Sequence, residues 1–228
     1  MIGSAFISAI KLLFSGDPVI YQIIARSLFV SLSAIVCAGI IGIPLGFLLG
    51  LHQFPGRGWV VKILYVVMGL PPVLAGLIVF MLLSRSGPIA PFIYLLYTPA
   101  AMIIAQVILA TPIITGLTMA AVEEKSTPIL QTAKGLGAVG WQTGWTLLTE
   151  LRFSLIVGVV TAFGRVSAEV GAVMLVGGDI DGYTRVLTTA IVLETRKGNF
   201  EIAVALGMVL LLLSFLINSL LHHWQYRR

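Results

Sequence analysis

The chain has 228 residues, of which 58% are hydrophobic and only 10% are charged, against roughly 25% charged in an average soluble domain. A soluble fold of this size leaves too much of its surface wet to hide that apolar excess, which excludes an ordinary globular protein and a disordered chain. The formal net charge of +5 is scattered through loops without a basic stripe, so nucleic acid is not an expected partner, and the single Cys37 inside an apolar run excludes a disulfide framework. The chain is read as an integral membrane protein.

Taken in order, Ile2–Phe14 is apolar but too short to cross ~30 Å of hydrocarbon, and it carries Lys11. It is expected to lie as an interfacial helix ending at Ser15-Gly16-Asp17-Pro18, and it has no basic leader or cleavage site of a signal peptide. Five spans are expected: Leu28–Leu51, Trp59–Leu83, Phe92–Val122, Phe153–Val176 and Ile202–Leu221. In the first, Gly42, Gly46 and Gly50 recur every four residues on one face, which suits close helix packing within the chain or across a dimer. Pro71-Pro72 and Pro112 are expected to break the second and third spans. Five spans put the two ends of the chain on opposite sides. With the C-terminus inside, Arg57, Lys62, Lys125, Lys134, Arg152, Arg227 and Arg228 are inner, against Lys11, Arg26, Arg85, Arg185, Arg196 and Lys197 outside. The positive-inside rule leans toward that orientation without deciding it.

Between the third and fourth spans, Glu123 to Arg152 is too long for a simple connector. Ser126-Thr127-Pro128 reads as a helix start with Thr127 as N-cap and Pro at N1, and Gly135 and Gly137 as its end. Trp141, Trp145 and Leu148 then follow at helical spacing, as expected of a second helix along the membrane interface. A short helix held off the membrane in this way makes a docking lever for a soluble partner; the alternative is a plain hairpin. Gly177–Glu201 begins with turn chemistry, and Val186, Leu187, Ala190 and Ile191 then repeat with helical period over a stretch too short to span. It is expected to be a re-entrant or surface helix on the outer side. Asp179-Ile180-Asp181-Gly182 mimics a piece of a calcium loop but lacks the remaining ligand positions, so no metal site is expected.

In the fourth span, Arg165 and Glu169 stand four residues apart and are expected to share a helix face. Each is costly in hydrocarbon, by at least ~2.5 kcal/mol, so they should face protein or water. They form either an internal ion pair that locks the helix or a station on the pathway of an anion. No Gly-Lys pair occurs, so there is no phosphate loop for ATP, and no constellation of catalytic residues lies in a span. His222 and His223 belong to a basic tail, 222–228, expected to anchor at headgroups.

The Glu123–Arg152 segment resembles the coupling loop of ABC-importer permeases, whose pattern is Glu-Ala-Ala, three residues, Gly, nine residues, then Ile-any-Leu-Pro. Here Gln131, Thr132 and Ala133 stand at the opening, Gly137 at the Gly, Leu147 at the Ile, and Thr149 and Glu150 at the closing pair, so the spacing is kept while the opening Glu and the Leu-Pro are replaced. The stretch Gly164–Ala172, the Gly-rich turn and Tyr183-Thr184-Arg185 are similar to the branch of these permeases that carries molybdate, tungstate and sulfate. Met68-Gly69-Leu70-Pro71-Pro72-Val73, Ser84-Arg85-Ser86-Gly87-Pro88 and Leu187-Thr188-Thr189-Ala190-Ile191 look most like its tungstate class.

The fold expected is an all-α polytopic membrane bundle of the type I ABC-importer kind, with five spans and the N-terminal interfacial helix. Residues 1–19 form the interfacial segment, 20–221 the permease domain and 222–228 the tail. The resemblance implies a permease subunit of the cell (inner) membrane without enzymatic activity or cofactor. Its implied partners are an ABC ATPase dimer, an extracytoplasmic substrate-binding protein and a second copy of itself. It further implies coupling through Gln131, Thr132, Ala133, Gly137, Leu147 and Glu150, and delivery of the anion to an outer gate near Thr184, Arg185, Thr188 and Thr189. A permease for another small solute, or an ATPase-independent secondary transporter, are the alternative readings. The absence of internal repeats and the single intramembrane acid weigh against the latter.

Overall fold

The computed structural model describes residues 18–226 apart from 90 and 92, together with 7, 10 and 11. The expected interfacial helix over 2–14 therefore lies largely outside the described residues, as do the side chains of the 222–228 tail. Eight helices follow one another among the described residues from Pro18 on: α1 Pro18–Leu51, α2 Arg57–Met68, α3 Pro72–Leu83, α4 Pro99–Gly135, α5 Gly140–Ser167, α6 Gly171–Gly177, α7 Leu187–Arg196 and α8 Phe200–Tyr226. No strand occurs among these residues. α1, α4, α5 and the Phe200–Ile217 part of α8 are each long and apolar enough to cross a membrane.

The second expected span is two helices rather than one. α2 and α3 meet at an angle of 102°, because Pro71 and Pro72 cannot donate backbone hydrogen bonds and the residue before a proline is pushed out of the helical region. Pro71 is extended, with φ −59° and ψ 127°, and its carbonyl starts α3 by accepting from Leu74 N at 2.9 Å. Pro112 behaves otherwise. It is buried inside α4, which passes through it and through Pro128 as one helix of 37 residues. Packing around Pro112 outweighs the one hydrogen bond that it removes, whereas Pro128 is exposed. That helix starts at Pro99 and not near Phe92, with Thr98 as N-cap accepting from Ala101 N.

The glycine stripe of the first span packs within the chain. A Cβ built on Gly42 would meet Ile114 at 3.1 Å, one on Gly46 would meet Thr118 at 2.5 Å, and one on Gly50 would meet Val122 at 2.6 Å. The two sets of numbers rise together, so α1 and α4 run parallel with their backbones in close approach. Around this pair, Val30, Ala38, Met102, Ile114, Phe163 and Val166 form part of the main core. On the other side of the core, α3 packs on the short α6, where a Cβ on Gly76 would meet the backbone of Ala172. α7 and α8 pack together around Ala190, Leu206 and Val209. In the turn that joins them, Glu194 accepts from Lys197 Nζ at 2.8 Å and Asn199 Nδ2 at 2.7 Å. These bonds, Lys197 first, hold its carboxyl below the ordinary range for a glutamate.

Candidate functional site

Two places carry the features expected to work: the hairpin between α4 and α5, and the interruption between α5 and α6. At 1.5 Å per residue, α4 is about 55 Å long, well beyond the ~30 Å of a hydrocarbon core, so it projects from the membrane at one end. The projecting end carries the residues expected to couple. The expected N-cap at Thr127 is absent, because the helix runs straight through Pro128 to Gly135. The expected separate interfacial helix is likewise the start of α5, with Trp141 and Trp145 exposed on it. A lever is present, but it is a tight hairpin of two long helices rather than a short helix on a hinge.

Its turn is built by Gly137, at φ 81° in the left-handed region that favours glycine. Ala138 N donates to Ala133 O at 3.0 Å and Gly137 N to Lys134 O at 3.0 Å, which satisfies the end of α4. Opposite, Gln142 Oε1 accepts from Val139 N at 3.0 Å and starts α5. Ala133 and Leu147 are buried where the two helices meet, while Gln131, Thr132, Gly137 and Glu150 are exposed. Leu136 stands 84% exposed at the tip. Beside it, Pro128, Ile129, Thr132, Leu136, Thr146 and Glu150 line an open groove of about 380 Å³. The expected coupling set thus divides into two residues that hold the hairpin closed and four that present its surface.

The interruption between α5 and α6 separates Arg165 from Glu169. α5 ends at Ser167 and α6 begins at Gly171, so the two charged residues are not on one helix face. The expected ion pair is not formed. Glu169 is buried, and its carboxylate accepts from Ala172 N at 2.9 Å, closing the first turn of α6. Arg165 is exposed and has no ion-pair or hydrogen-bond partner among the described residues. It stands on a line of exposed positions that runs from Val157 through Thr161 and Gly164 of α5 to Ala168, just past the helix end. A Cβ on Gly164 would meet nothing within 4 Å.

The backbone freed at the interruption is satisfied from two neighbouring helices. Gln106 Nε2 on α4 donates to Val166 O at 3.2 Å, and Thr188 Oγ1 on α7 donates to Glu169 O at 3.0 Å. Sequence reasoning did not single out Gln106; its signal was a lone amide in an apolar span. The other residues expected at the outer gate hold the loop that follows. Thr184, fully buried, donates to Gly177 O at 2.6 Å and accepts from Ile180 N at 2.8 Å. Thr189 accepts from Val186 N at 3.1 Å and so starts α7. Arg185 pairs with Asp181 at 2.8 Å and Asp179 at 3.4 Å, while its carbonyl accepts from Arg26 Nη1 of α1 at 3.1 Å. Asp179 and Asp181 are thus engaged by an arginine. Among the described residues, no cluster of His, Cys, Asp and Glu could hold a metal ion.

Comparisons with known proteins agree with this architecture. Residues 42–228 match the family of "binding-protein-dependent transport system inner membrane component" proteins. Over 224 residues the chain is 44% identical to the tungstate uptake system permease protein TupB of Peptoclostridium acidaminophilum, covering 98% of each chain. It is 39% identical to the protein of the same name from Campylobacter jejuni, covering 95% of this chain and 90% of that one. The molybdenum transport system permease protein ModB of Escherichia coli is 28% identical over 85% of this chain and 91% of its own. In fold, it is similar to a chain of a bacterial ABC transporter that imports the acidic polysaccharide alginate, with a TM-score of 0.77 at 20% identity, covering 96% of this chain and 83% of that one. With its apolar spans, its projecting hairpin and these relatives, the chain belongs to the membrane-embedded permeases of ABC importers.

Proposed function

We propose that the chain is the membrane-spanning subunit of an ATP-driven importer of tungstate or a related tetrahedral oxyanion, and that it works as a homodimer with the pathway on the two-fold axis. The substrate class rests on the 44% identity, over almost the whole of both chains, to a tungstate uptake permease. The homodimer rests on Arg165. An exposed, unpaired arginine in a span cannot face lipid without a large cost, so the line of residues on which it stands borders water or a second copy of the chain. Two such lines facing each other enclose a cationic, weakly holding path suited to a dianion. Glu169, turned away into the bundle, does not cancel that charge.

A separate ATPase dimer docks on the hairpin at Gln131–Gly137 and Leu147–Glu150, on the cytoplasmic side, with the C-terminus inside and the N-terminus outside. Closure of the ATPase upon ATP moves the hairpin, and the spans pass between outward-open and inward-open forms. An extracytoplasmic binding protein delivers the anion near Gly177–Thr189, where the framework of Thr184, Arg185, Thr188 and Thr189 holds the outer end of the interrupted span shut. Proteoliposomes carrying the permease, its ATPase and the binding protein should take up tungstate only with ATP, with molybdate competing more strongly than sulfate. Arg165→Ala should lower uptake by at least about tenfold. Normal uptake by that variant would refute the pathway role, and failure of tungstate to enter would refute the substrate class.

A further inference from the structure

α2 is the least embedded helix of the bundle, since none of its residues is buried. Behind it lies an apolar cavity of about 350 Å³, lined by Leu45, Leu49, Phe54, Leu64, Val67 and Pro112 of α1, the α1–α2 turn, α2 and α4. α2 therefore borders open apolar space on the face toward α1 and α4, and specific contacts hold its two ends. At the far end, Met68 rests on Gly116 of α4, where a Cβ would meet its sulfur at 2.6 Å. At the near end stands Arg57, the first residue of the helix. Its Nε donates to Leu49 O of α1 at 2.8 Å, and its Nη2 pairs with the carboxylate of Glu123 on α4. The arginine side chain is 16% exposed and the glutamate 44%.

Glu123 lies where α4 leaves its apolar stretch, between the membrane part and the hairpin tip. α4 is one helix from Pro99 to Gly135, so Glu123 and the hairpin tip belong to the same element, with Pro128 between them. α2 in turn leads into the 102° bend, and beyond it α3 packs on α6 at Gly76–Ala172 and Val73–Gly171. We infer that Arg57 is a positioning residue for coupling, tying α2 to Glu123 of α4 and to the end of α1 so that movement of the hairpin swings the bent α2–α3 span. This rests on the reading of the hairpin as the ATPase docking point. The glutamate partner is half-exposed, so solvent screens the pair, and the ratio of transport to hydrolysis separates a transmitting role from a merely structural one.

The test measures transported anion per ATP hydrolysed in proteoliposomes containing permease, ATPase and binding protein. Arg57→Glu should leave complex assembly and ATP hydrolysis within about twofold of wild type while lowering the transport-to-hydrolysis ratio about tenfold. The exchanged pair, R57E with E123R, should restore most of that ratio, since it rebuilds the tie between α2 and α4. The inference is overturned if R57E keeps the wild-type ratio, if hydrolysis falls in step with transport, or if the exchange gives no rescue with both variants assembled. A wild-type complex without ATP-dependent uptake would instead refute the docking reading on which the inference rests.

Discussion

At Gly46 the absence of a side chain decides how closely α1 approaches α4. A Cβ there would sit 2.5 Å from Thr118 Cβ and 2.8 Å from Thr115 O, whereas one on Gly39, also in α1, would meet nothing within 4 Å. Backbone cannot give way as a flexible side chain can, so Gly46→Ala forces the two helices apart. The expected cost is about 1–3 kcal/mol, while Gly39→Ala should be neutral or slightly stabilising because alanine favours the helix. Thermal unfolding of the purified protein in detergent, with the two variants side by side, checks this. Equal midpoints would show that the close approach is not what holds the pair. The repeat of glycines every four residues was legible in the sequence; that its opposite face is α4 of the same chain was not, because the spacing fits a neighbour from either source.

At the scale of elements, the interruption between α5 and α6 is the place where local pattern misleads. Gly164 to Ala172 reads as a continuous apolar helix, on which Arg165 and Glu169 would share a face. The structure instead ends one helix at Ser167 and starts another at Gly171. Two long-range hydrogen bonds make this tolerable in a membrane: Gln106 on Val166 O and Thr188 on Glu169 O, 60 and 19 residues apart in sequence. Nothing near the break announces either donor. Thr188→Val keeps the shape and removes one of them, leaving a buried carbonyl without its donor. It should destabilise the protein by about 1–3 kcal/mol and should increase proteolysis within Ala168–Gly171. Thr195→Val, whose hydroxyl bonds within its own exposed helix turn, is the control and should change neither. If Thr188→Val is as stable as the control, another group satisfies the break.

For the whole molecule, the question is which exposed faces meet lipid and which meet protein or water. Ile40 at 70%, Val66 at 72% and Leu211 at 71% exposure are suited to hydrocarbon, which needs no partner for them. The exposed line on α5 is not, since it carries Thr161, Gly164 and the unpaired Arg165. In the proposed homodimer, two-fold symmetry brings this line against its copy. Gly164→Cys, at a position with open space above it, should then crosslink to a dimer under mild oxidation in membranes. A cysteine replacing Val66 on the outer surface of α2 should not. Crosslinking from Val66→Cys alone would place the two-fold axis elsewhere. The native Cys37 is exposed, so both variants are made with Cys37→Ser.

The sequence by itself determined that this chain lives in a membrane, that it has about five crossings, that it is all α, and that the segment between the third and fourth of them is more than a connector. These follow from average quantities, hydrophobicity summed over some twenty residues and the spacing of small and aromatic residues, which survive whatever the neighbours do. The residues expected to couple all fall on one hairpin, because their spacing is local; their coupling role belongs to the proposed function. The structure decided what depends on contacts distant in sequence. Pro71-Pro72 breaks a helix and Pro112 does not, because the first pair stands at an outer bend and the second is buried inside a packed lever. Arg165 and Glu169 part company at a break where Gln106 and Thr188 reach the carbonyls of Val166 and Glu169 from elsewhere in the chain. Arg57 and Glu123 meet because α1 and α4 run parallel, a topological fact that no window of sequence contains.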